Sequence, residues 1–380
     1  MRIAINTRFL LAHKMEGFGW YTYEIVKRMV EKHPEHTFLF FFDRPYEQHF
    51  IFGSNVVPIV LRPSARHPFL FVWWFEVAVV NALKKFHADV FFSPDGYLSL
   101  RSKTPQIGVI HDLNFEHYPK DLPWLVRNYY QFFFPRFARK AAHLITVSET
   151  SKKDIIQQYA IPTSHITALW NSASELYVPI EAATKQKIRA TLTNGNSYFL
   201  FVGSLHPRKN LKRLLKAYLN YQKEGGTYDV VIVGAPMWSQ DTEISQFQNK
   251  KIHFKGYVDL ENLTQIMGAA ACLVYVPYFE GFGIPLVEAM KCGIPIIAGN
   301  TSVLPEVAGS AALYVDPFSE ADITQKLHLI ANDTDLRNHL SSESLLRSEL
   351  FDWNRSADQC FEIILRVANT HLKQINASAC

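Results

Sequence analysis

The chain has 380 residues, 48% of them apolar and 19% charged, with a formal net charge of +4. That length exceeds one ordinary core and fits two α/β domains; the composition excludes a disordered chain, and the modest charge leaves no footprint for nucleic acid. Cysteines 272, 292, 360 and 380 form neither a metal-ligand nor a paired spacing, so reduced thiols in a cytoplasmic protein are expected.

Met1-Arg2-Ile3-Ala4-Ile5-Asn6 reads directly as a strand, and no signal segment is expected ahead of it. Further apolar runs predict strands at Thr37–Phe42, Val56–Leu61, Asp89–Ser93, Gln106–His111, His143–Val147 and His165–Leu169. A second set follows at Tyr198–Val202, Asp229–Val233, Lys251–Phe254, Cys272–Val276, Ile294–Ala298 and Ala312–Val315. Helical patterns separate them, and their near-continuous hydrophobicity indicates parallel sheets covered on both faces. The join between domains is expected within Ser174 to Asn196, a polar stretch without a core strand.

Several strand ends carry residues suited to chemistry, which is where open α/β sheets bind ligands. Gly17-Phe18-Gly19 follows the first strand and reads as a tight turn before a helix, bringing amides close to a ligand. His111-Asp112-Leu113 ends another strand, with Asp112 expected to hold local geometry. Two aromatic clusters lie in the same half of the chain, Phe69 to Phe75 with Lys84-Lys85 behind it, and Asn128 to Phe137. Neither approaches the ~20 residues of a membrane span. They read as core-facing helices or an acceptor pocket, with peripheral contact on a bilayer as the other reading.

In the second set, Gly203-Ser204-Leu205-His206-Pro207-Arg208-Lys209-Asn210 links a strand to a helix. Two cations in such a turn can neutralise a diphosphate without a metal, Arg208 as a fork and Lys209 as a point charge. Gly256-Tyr257-Val258-Asp259 follows the next edge run. The most informative stretch is Pro277-Tyr278-Phe279-Glu280-Gly281-Phe282-Gly283-Ile284-Pro285-Leu286-Val287-Glu288. Glycines 281 and 283 admit a close backbone approach, Pro285 suits a helix start, and Gly293 suits the position past its end. Glu280 and Glu288 thus flank a helix N-terminus, where amides and the dipole favour an anion. An anion cradled by amides, with carboxylates placed for hydroxyl groups, suits a sugar nucleotide.

This stretch, continued by Asn300 to Gly309 and Ala311 to Pro317, resembles the donor-binding signature of the family 4 glycosyltransferases, retaining enzymes of the GT-B fold. The family's two glutamates separated by seven residues are matched by Glu280 and Glu288. The resemblance implies an α/β protein of two Rossmann-like domains facing each other across a cleft: 1–174 for the acceptor, 175–350 for the nucleotide sugar, and 351–380 as a helix returning to the first domain. It implies catalytic roles for Glu280, His111, Lys209 and Arg208, with His111 touching the transferred sugar and Glu280 its hydroxyls. Many members carry an arginine directly after the glycine, where this chain has Ser204. Donor contacts are further implied for Glu288 on the ribose, Gly281, Phe282, Gly283 and Ile284 on the phosphates, Tyr257 and Val258 at the base, and Ser204, Gly17 and Gly19.

No catalytic metal or cofactor is expected. Asp333-Thr334-Asp335 spells the D-x-D that anchors a metal in the other major glycosyltransferase fold, but it reads as a helix start. The chain looks most similar to bacterial mannosyltransferases of surface polysaccharide assembly, which makes GDP-mannose the leading donor and a saccharide or lipid-linked saccharide the acceptor. A cytoplasmic location, peripheral at the inner face of the membrane, is the matching expectation. A sugar-nucleotide epimerase or hydrolase on the same fold, or a silent binding subunit of an assembly complex, are the other readings.

Overall fold

A computed structural model describes residues 1–11, 15, 17–65, 67–234, 247 and 249–379. Its contacts divide the chain into two units, one of Met1–Asn171 with Trp353–Cys380 and one of Ser172–Asp352. Cys380 lies outside the described residues.

The first unit holds a seven-stranded sheet of order β3-β2-β1-β4-β5-β6-β7. Its strands are β1 Arg2–Asn6, β2 Thr37–Phe42, β3 Val56–Val60, β4 Val90–Ser93, β5 Gln106–Val109, β6 His143–Thr146 and β7 Ile166–Ala168. Every pairing is parallel, so all carboxyl ends point one way. The order reverses between β1 and β4, the position where such sheets open a ligand crevice. The inner strands are mostly apolar because helices cover both faces, as for Ile3, Phe40, Phe92 and Ile107, all fully buried, while the edge strand β3 is largely exposed.

The second unit holds six parallel strands of order β10-β9-β8-β11-β12-β13. They are β8 Tyr198–Val202, β9 Asp229–Val233, β10 Ile252–Gly256, β11 Cys272–Tyr275, β12 Ile296–Gly299 and β13 Ala312–Val315. The order reverses between β8 and β11, and the loops after those two strands carry the basic turn and the first glutamate. The polar stretch expected to join the domains is itself ordered as the helix Ala182–Thr193, while the division falls just ahead of it, at Asn171 and Ser172.

The last helix, Trp353–Ala379, packs on the helix Gly17–Lys32 of the first unit. Ala357, Cys360, Ile364 and Ala368 recur at helical spacing and are all buried. Phe361 stacks on His33 at 3.6 Å, and Lys32 pairs with Asp358 at 2.7 Å. Both aromatic clusters are split by burial. Trp74, Phe75, Phe134 and Phe137 join the core of the first unit, while other rings of the same helices face outward.

Candidate active site

The basic turn of the second unit is built around Asn210. After β8, residues Pro207–Lys209 form a single tight turn that ends on Asn210 at φ +62°, a left-handed conformation that asparagine tolerates. Its side-chain amide donates to the carbonyls of Val276, at 2.9 Å, and Pro317, at 2.7 Å. Those groups lie beyond β11 and β13, so one buried amide ties the basic turn to two other strand ends. The Arg208 carbonyl accepts from the Tyr278 amide at 3.1 Å, which fastens the turn to the glutamate loop.

This stapling brings Arg208 and Lys209 onto Glu280. Lys209 Nζ donates to Glu280 Oε2 at 2.6 Å, Arg208 Nη1 to the same oxygen at 2.8 Å, and the Tyr275 hydroxyl at 2.9 Å. Lys209 also donates to the Tyr275 hydroxyl at 2.5 Å. All three donors meet Oε2; Oε1 accepts nothing from a described residue. The Glu280 backbone is fixed by Ser302, whose hydroxyl donates to its carbonyl at 2.7 Å and accepts from its amide at 3.2 Å. Burial works to raise the Glu280 carboxyl, but the Arg208 and Lys209 cations and the bonds from Lys209 and Tyr275 outweigh it and hold the group at about 2. The cluster is one anion between two cations, with a net charge of +1 at neutral pH.

Beyond Glu280 the chain enters the helix Ile284–Lys291 through Gly283 at φ +90°, a conformation that excludes a β-carbon here without strain. Pro285 sits in the first turn and Gly293, at φ +64°, just past the end. The first amides of the helix are outside its own hydrogen-bond ladder. Phe282 is buried with its ring edge-on to Phe351, so its backbone rather than its side chain is what it offers a ligand. Glu288 lies one turn into the helix, within electrostatic reach of Lys209 and Tyr275. Burial pushes its carboxyl up to about 7, against the opposing pull of Tyr177 and Lys209. The Tyr177 hydroxyl lies against this carboxyl but is buried without a partner of good hydrogen-bond geometry.

The other residues singled out from the sequence fall in different surroundings. Ser204 follows Gly203 in the loop after β8. Tyr257 and Val258 follow β10 and line an open cavity of about 590 Å³ with Lys187, Asn262 and Gln265; none of the Glu280 cluster lines it. In the first unit, His111 stands in the loop after β5, its Nε2–H donating to the Pro94 carbonyl at 2.8 Å, which leaves Nδ1 as an acceptor. Burial lowers its pKa, the Pro94 bond and the carboxylates of Asp112 and Asp95 opposing. Asp112 accepts from the Asn114 amide at 2.9 Å and so holds the local turn.

Two expectations change. Gly17 and Gly19 do not form a tight turn: both lie in the first turn of the helix Gly17–Lys32, and neither has positive φ. A β-carbon at Gly19 would stand 2.7 Å from the Phe9 carbonyl oxygen, whereas one at Gly17 would meet nothing. Close packing on the loop after β1 is therefore what Gly19 serves locally. The strand expected to run to His111 stops at Val109, which frees His111 from the ladder. Asp333 does start a helix, its carboxylate accepting from the Leu336 amide at 2.8 Å.

Further side chains complete the picture: in the second unit Tyr275 and Tyr177, outside the recognised motifs, and Ser302, inside the stretch Asn300 to Gly309; in the first a buried Arg8–Asp95 pair at 2.7 Å that links the ends of β1 and β4. Tyr275 closes a strand immediately before the glutamate loop, a position that marks a side chain able to reach the site.

Two Rossmann-like parallel-sheet units, the second with cations and a carboxylate gathered at its switch point, define a glycosyltransferase of the GT-B fold. The chain belongs to glycosyltransferase family 4: the family described as Glycosyltransferase Family 4 matches residues 15–173, and Glycosyl transferases group 1 matches residues 183–345. Among its relatives is O-antigen chain mannosyltransferase B of Escherichia coli, 29% identical and aligned over 73% of this chain and 74% of the relative. The O-antigen chain mannosyltransferase RfbU of Salmonella typhimurium is also 29% identical, over 56% of each chain. In fold, the chain is similar to Anabaena HepE in complex with UDP and glucose, with a TM-score of 0.74, 17% identity, and coverage of 96% of this chain and 99% of that one.

Proposed function

We propose that this glycosyltransferase moves a sugar, with mannose from GDP-mannose as the first candidate, to a saccharide or lipid-linked saccharide in polysaccharide or glycolipid synthesis, with retention of anomeric configuration. The observation that carries the reading is the convergence of Arg208 and Lys209 on Glu280 beside the glycine turn. The two O-antigen mannosyltransferase relatives support mannose over other sugars. The reaction breaks the bond between the anomeric carbon and a phosphate oxygen, so negative charge builds on the departing diphosphate. Lys209, Arg208 and the amides of Gly281 to Ile284 stabilise that charge in place of a metal ion, as fixed groups that need no rearrangement. Glu280 Oε1 accepts from a donor-sugar hydroxyl, and Nδ1 of His111 accepts from another. The acceptor hydroxyl attacks on the face the diphosphate leaves, and its proton passes to the departing phosphate oxygen. Glu288 accepts from the ribose hydroxyls; Ser204 and the turn at Tyr257 and Val258 serve the rest of the nucleotide, and the Gly17–Gly19 helix start lines the acceptor side. We place the reaction in the cytoplasm.

A thermal-shift panel of sugar nucleotides without added metal, on wild type and Lys209→Ala, tests the site and names the base. Stabilisation by one series is expected in wild type and, with a smaller shift, in Lys209→Ala, followed in wild type by a product of unchanged anomeric configuration in an NMR assay. Donor consumed without a glycosidic product would replace transfer by hydrolysis or epimerisation, and binding without turnover would leave a silent subunit.

The raised carboxyl of Glu288 gives a pH dependence of known sign. A pKa above the ordinary value means that its stabilising protonated form is present below about 4.5 and is lost as pH rises through about 7. Sugar-nucleotide binding, which uses the ionised form, runs the other way: affinity falls as pH drops below about 7, and binding there releases a proton. Calorimetry in buffers of different ionisation enthalpy reads the released proton directly. The phosphates of a sugar nucleotide do not titrate in this range, so Glu288→Gln is expected to flatten the profile. A slope that survives the substitution would move the effect to another group.

A further inference from the structure

We infer that Asp95 is a positioning residue for the transfer: through the turn Ser93–Gly96 it sets both the tautomer and the aim of His111. The inference rests on the reading in which Nδ1 of His111 accepts from a donor-sugar hydroxyl. The chain leaves β4 through Ser93-Pro94-Asp95-Gly96, where the Gly96 amide donates to the Ser93 carbonyl at 3.2 Å and closes a β-turn. Pro94 fixes the second position and Asp95 keeps a negative φ at the third, so the turn is type I. The peptide between Pro94 and Asp95 is the unit that turns over between types I and II, and its carbonyl points to opposite sides in the two. That carbonyl is the one that accepts from His111 Nε2–H at 2.8 Å. Gly96, at φ +79°, seats the turn against the end of β5: a β-carbon there would stand 2.9 Å from the Val109 carbonyl oxygen, close in the chain to His111.

Asp95 holds the turn in that state. Its Oδ1 accepts from Asn6 Nδ2 at 2.8 Å, the Ser93 hydroxyl at 2.9 Å and the Tyr97 amide at 3.2 Å, while Oδ2 accepts from Arg8 Nε at 2.7 Å. These partners come from β1, the loop after it and both sides of the turn, so one carboxylate ties the turn to the switch point of the first sheet. Asn6, Arg8, Ser93, Asp95 and Tyr97 are all buried. A buried ion pair returns little net stability for its desolvation, so position is what this arrangement supplies. The His111 ring is clamped edge-on by Phe18 and Tyr21, at centroid distances of 4.7 and 4.8 Å. The Pro94 carbonyl, which can only accept, decides which of its nitrogens carries the proton. A carboxylate is needed because every partner of Asp95 is a donor. In Asp95→Asn the amide nitrogen must face one of them, and asparagine also tolerates the positive φ of a type II turn.

Nitrogen NMR of the full chain, labelled at histidine and assigned by the signals missing in His111→Ala, reads the tautomer directly. Wild type is expected to show a protonated Nε2 and a bare Nδ1, and Asp95→Asn a mixture of the two tautomers. In transfer assays Asp95→Asn is expected to lower kcat by about tenfold with the donor KM within about twofold, and to add less than about twofold in the His111→Ala background. Ser93→Ala removes one donor without setting two donors face to face. It is expected to melt near the wild-type temperature and to repeat the pattern with a loss of about threefold, so the test survives a folding failure of Asp95→Asn. A wild-type His111 protonated at Nδ1 would overturn the proposal whether or not either variant folds, as would equal losses with and without His111. Full transfer by His111→Ala would instead remove His111 from the reaction and Asp95 with it, while the spectra still read whether the turn holds the ring.

Discussion

Lys209→Ala is expected to lower kcat/KM for sugar transfer by about a thousandfold, with most of the loss in kcat. The ammonium is held between Glu280 Oε2 and the Tyr275 hydroxyl in a site that is only 10% exposed at this side chain. A cation kept at that depth acts through little intervening water, and the charge it opposes appears only as the donor bond breaks. Ground-state affinity for the intact sugar nucleotide should therefore change less than the rate. Lys209→Arg retains the charge but is expected to recover little activity. A planar fork cannot occupy the narrow position between a carboxylate oxygen and a phenol at 2.5 to 2.6 Å. Single-turnover rates and donor affinity, measured separately, decide the point. Equal losses in both would make Lys209 a binding residue, and no loss would remove it from the chemistry.

Glu280→Ala is expected to separate binding from turnover in the opposite direction. Transfer should fall by about a thousandfold, since the carboxylate proposed to meet the donor sugar is gone. Affinity for the nucleoside diphosphate product should instead rise by about fivefold, because Arg208 and Lys209 lose their internal counter-ion and the site goes from a charge of +1 to +2. Competition by the diphosphate against the donor measures this directly. Weaker diphosphate binding in the variant would mean that Glu280 positions the two cations rather than competing for them. The depressed carboxyl of Glu280 adds a boundary condition. Its favourable pairing is present above the ordinary glutamate value and is lost only as pH falls through about 2, so acid inactivation near pH 5 or 6 cannot come from this group.

The inner strands are legible in the sequence because they are buried on both faces and so read as apolar runs, while the edge strands β3 and β10 are largely exposed and stand out less by burial than by the loop residues around them. Strand ends are less legible. β5 stops at Val109 although Ile110 is as apolar as the strand before it, since apolarity records burial and not where a ladder partner ends. The pair Gly17 and Gly19 was readable as glycine but not as conformation. The need at Gly19 comes from the Phe9 carbonyl, a tertiary neighbour with no local signature. In the site, Arg208, Lys209 and Glu280 stand out as charges in strand-end loops, and the structure brings them onto one oxygen. Tyr275 is hidden because its ring completes the apolar strand β11 while only its hydroxyl emerges. Ser302 lies in the recognised stretch Asn300 to Gly309 but acts through the Glu280 backbone, and Tyr177 acts through a buried contact that nothing around it in the sequence announces.

The chain leaves the first unit at Asn171 and returns to it at Trp353. On the ribosome, the seven-stranded sheet is synthesised long before the helix that sets Trp353 against Tyr21 on the helix Gly17–Lys32 and that seats Phe361 against His33. The second unit, drawn from one continuous stretch, emerges whole and can fold while the first still waits for its last element. The nascent protein thus passes through a stage in which the second unit is finished and the first exposes a strip of core. A chaperone would meet that strip, and a premature stop codon near residue 353 would damage the unit made first rather than the one made last.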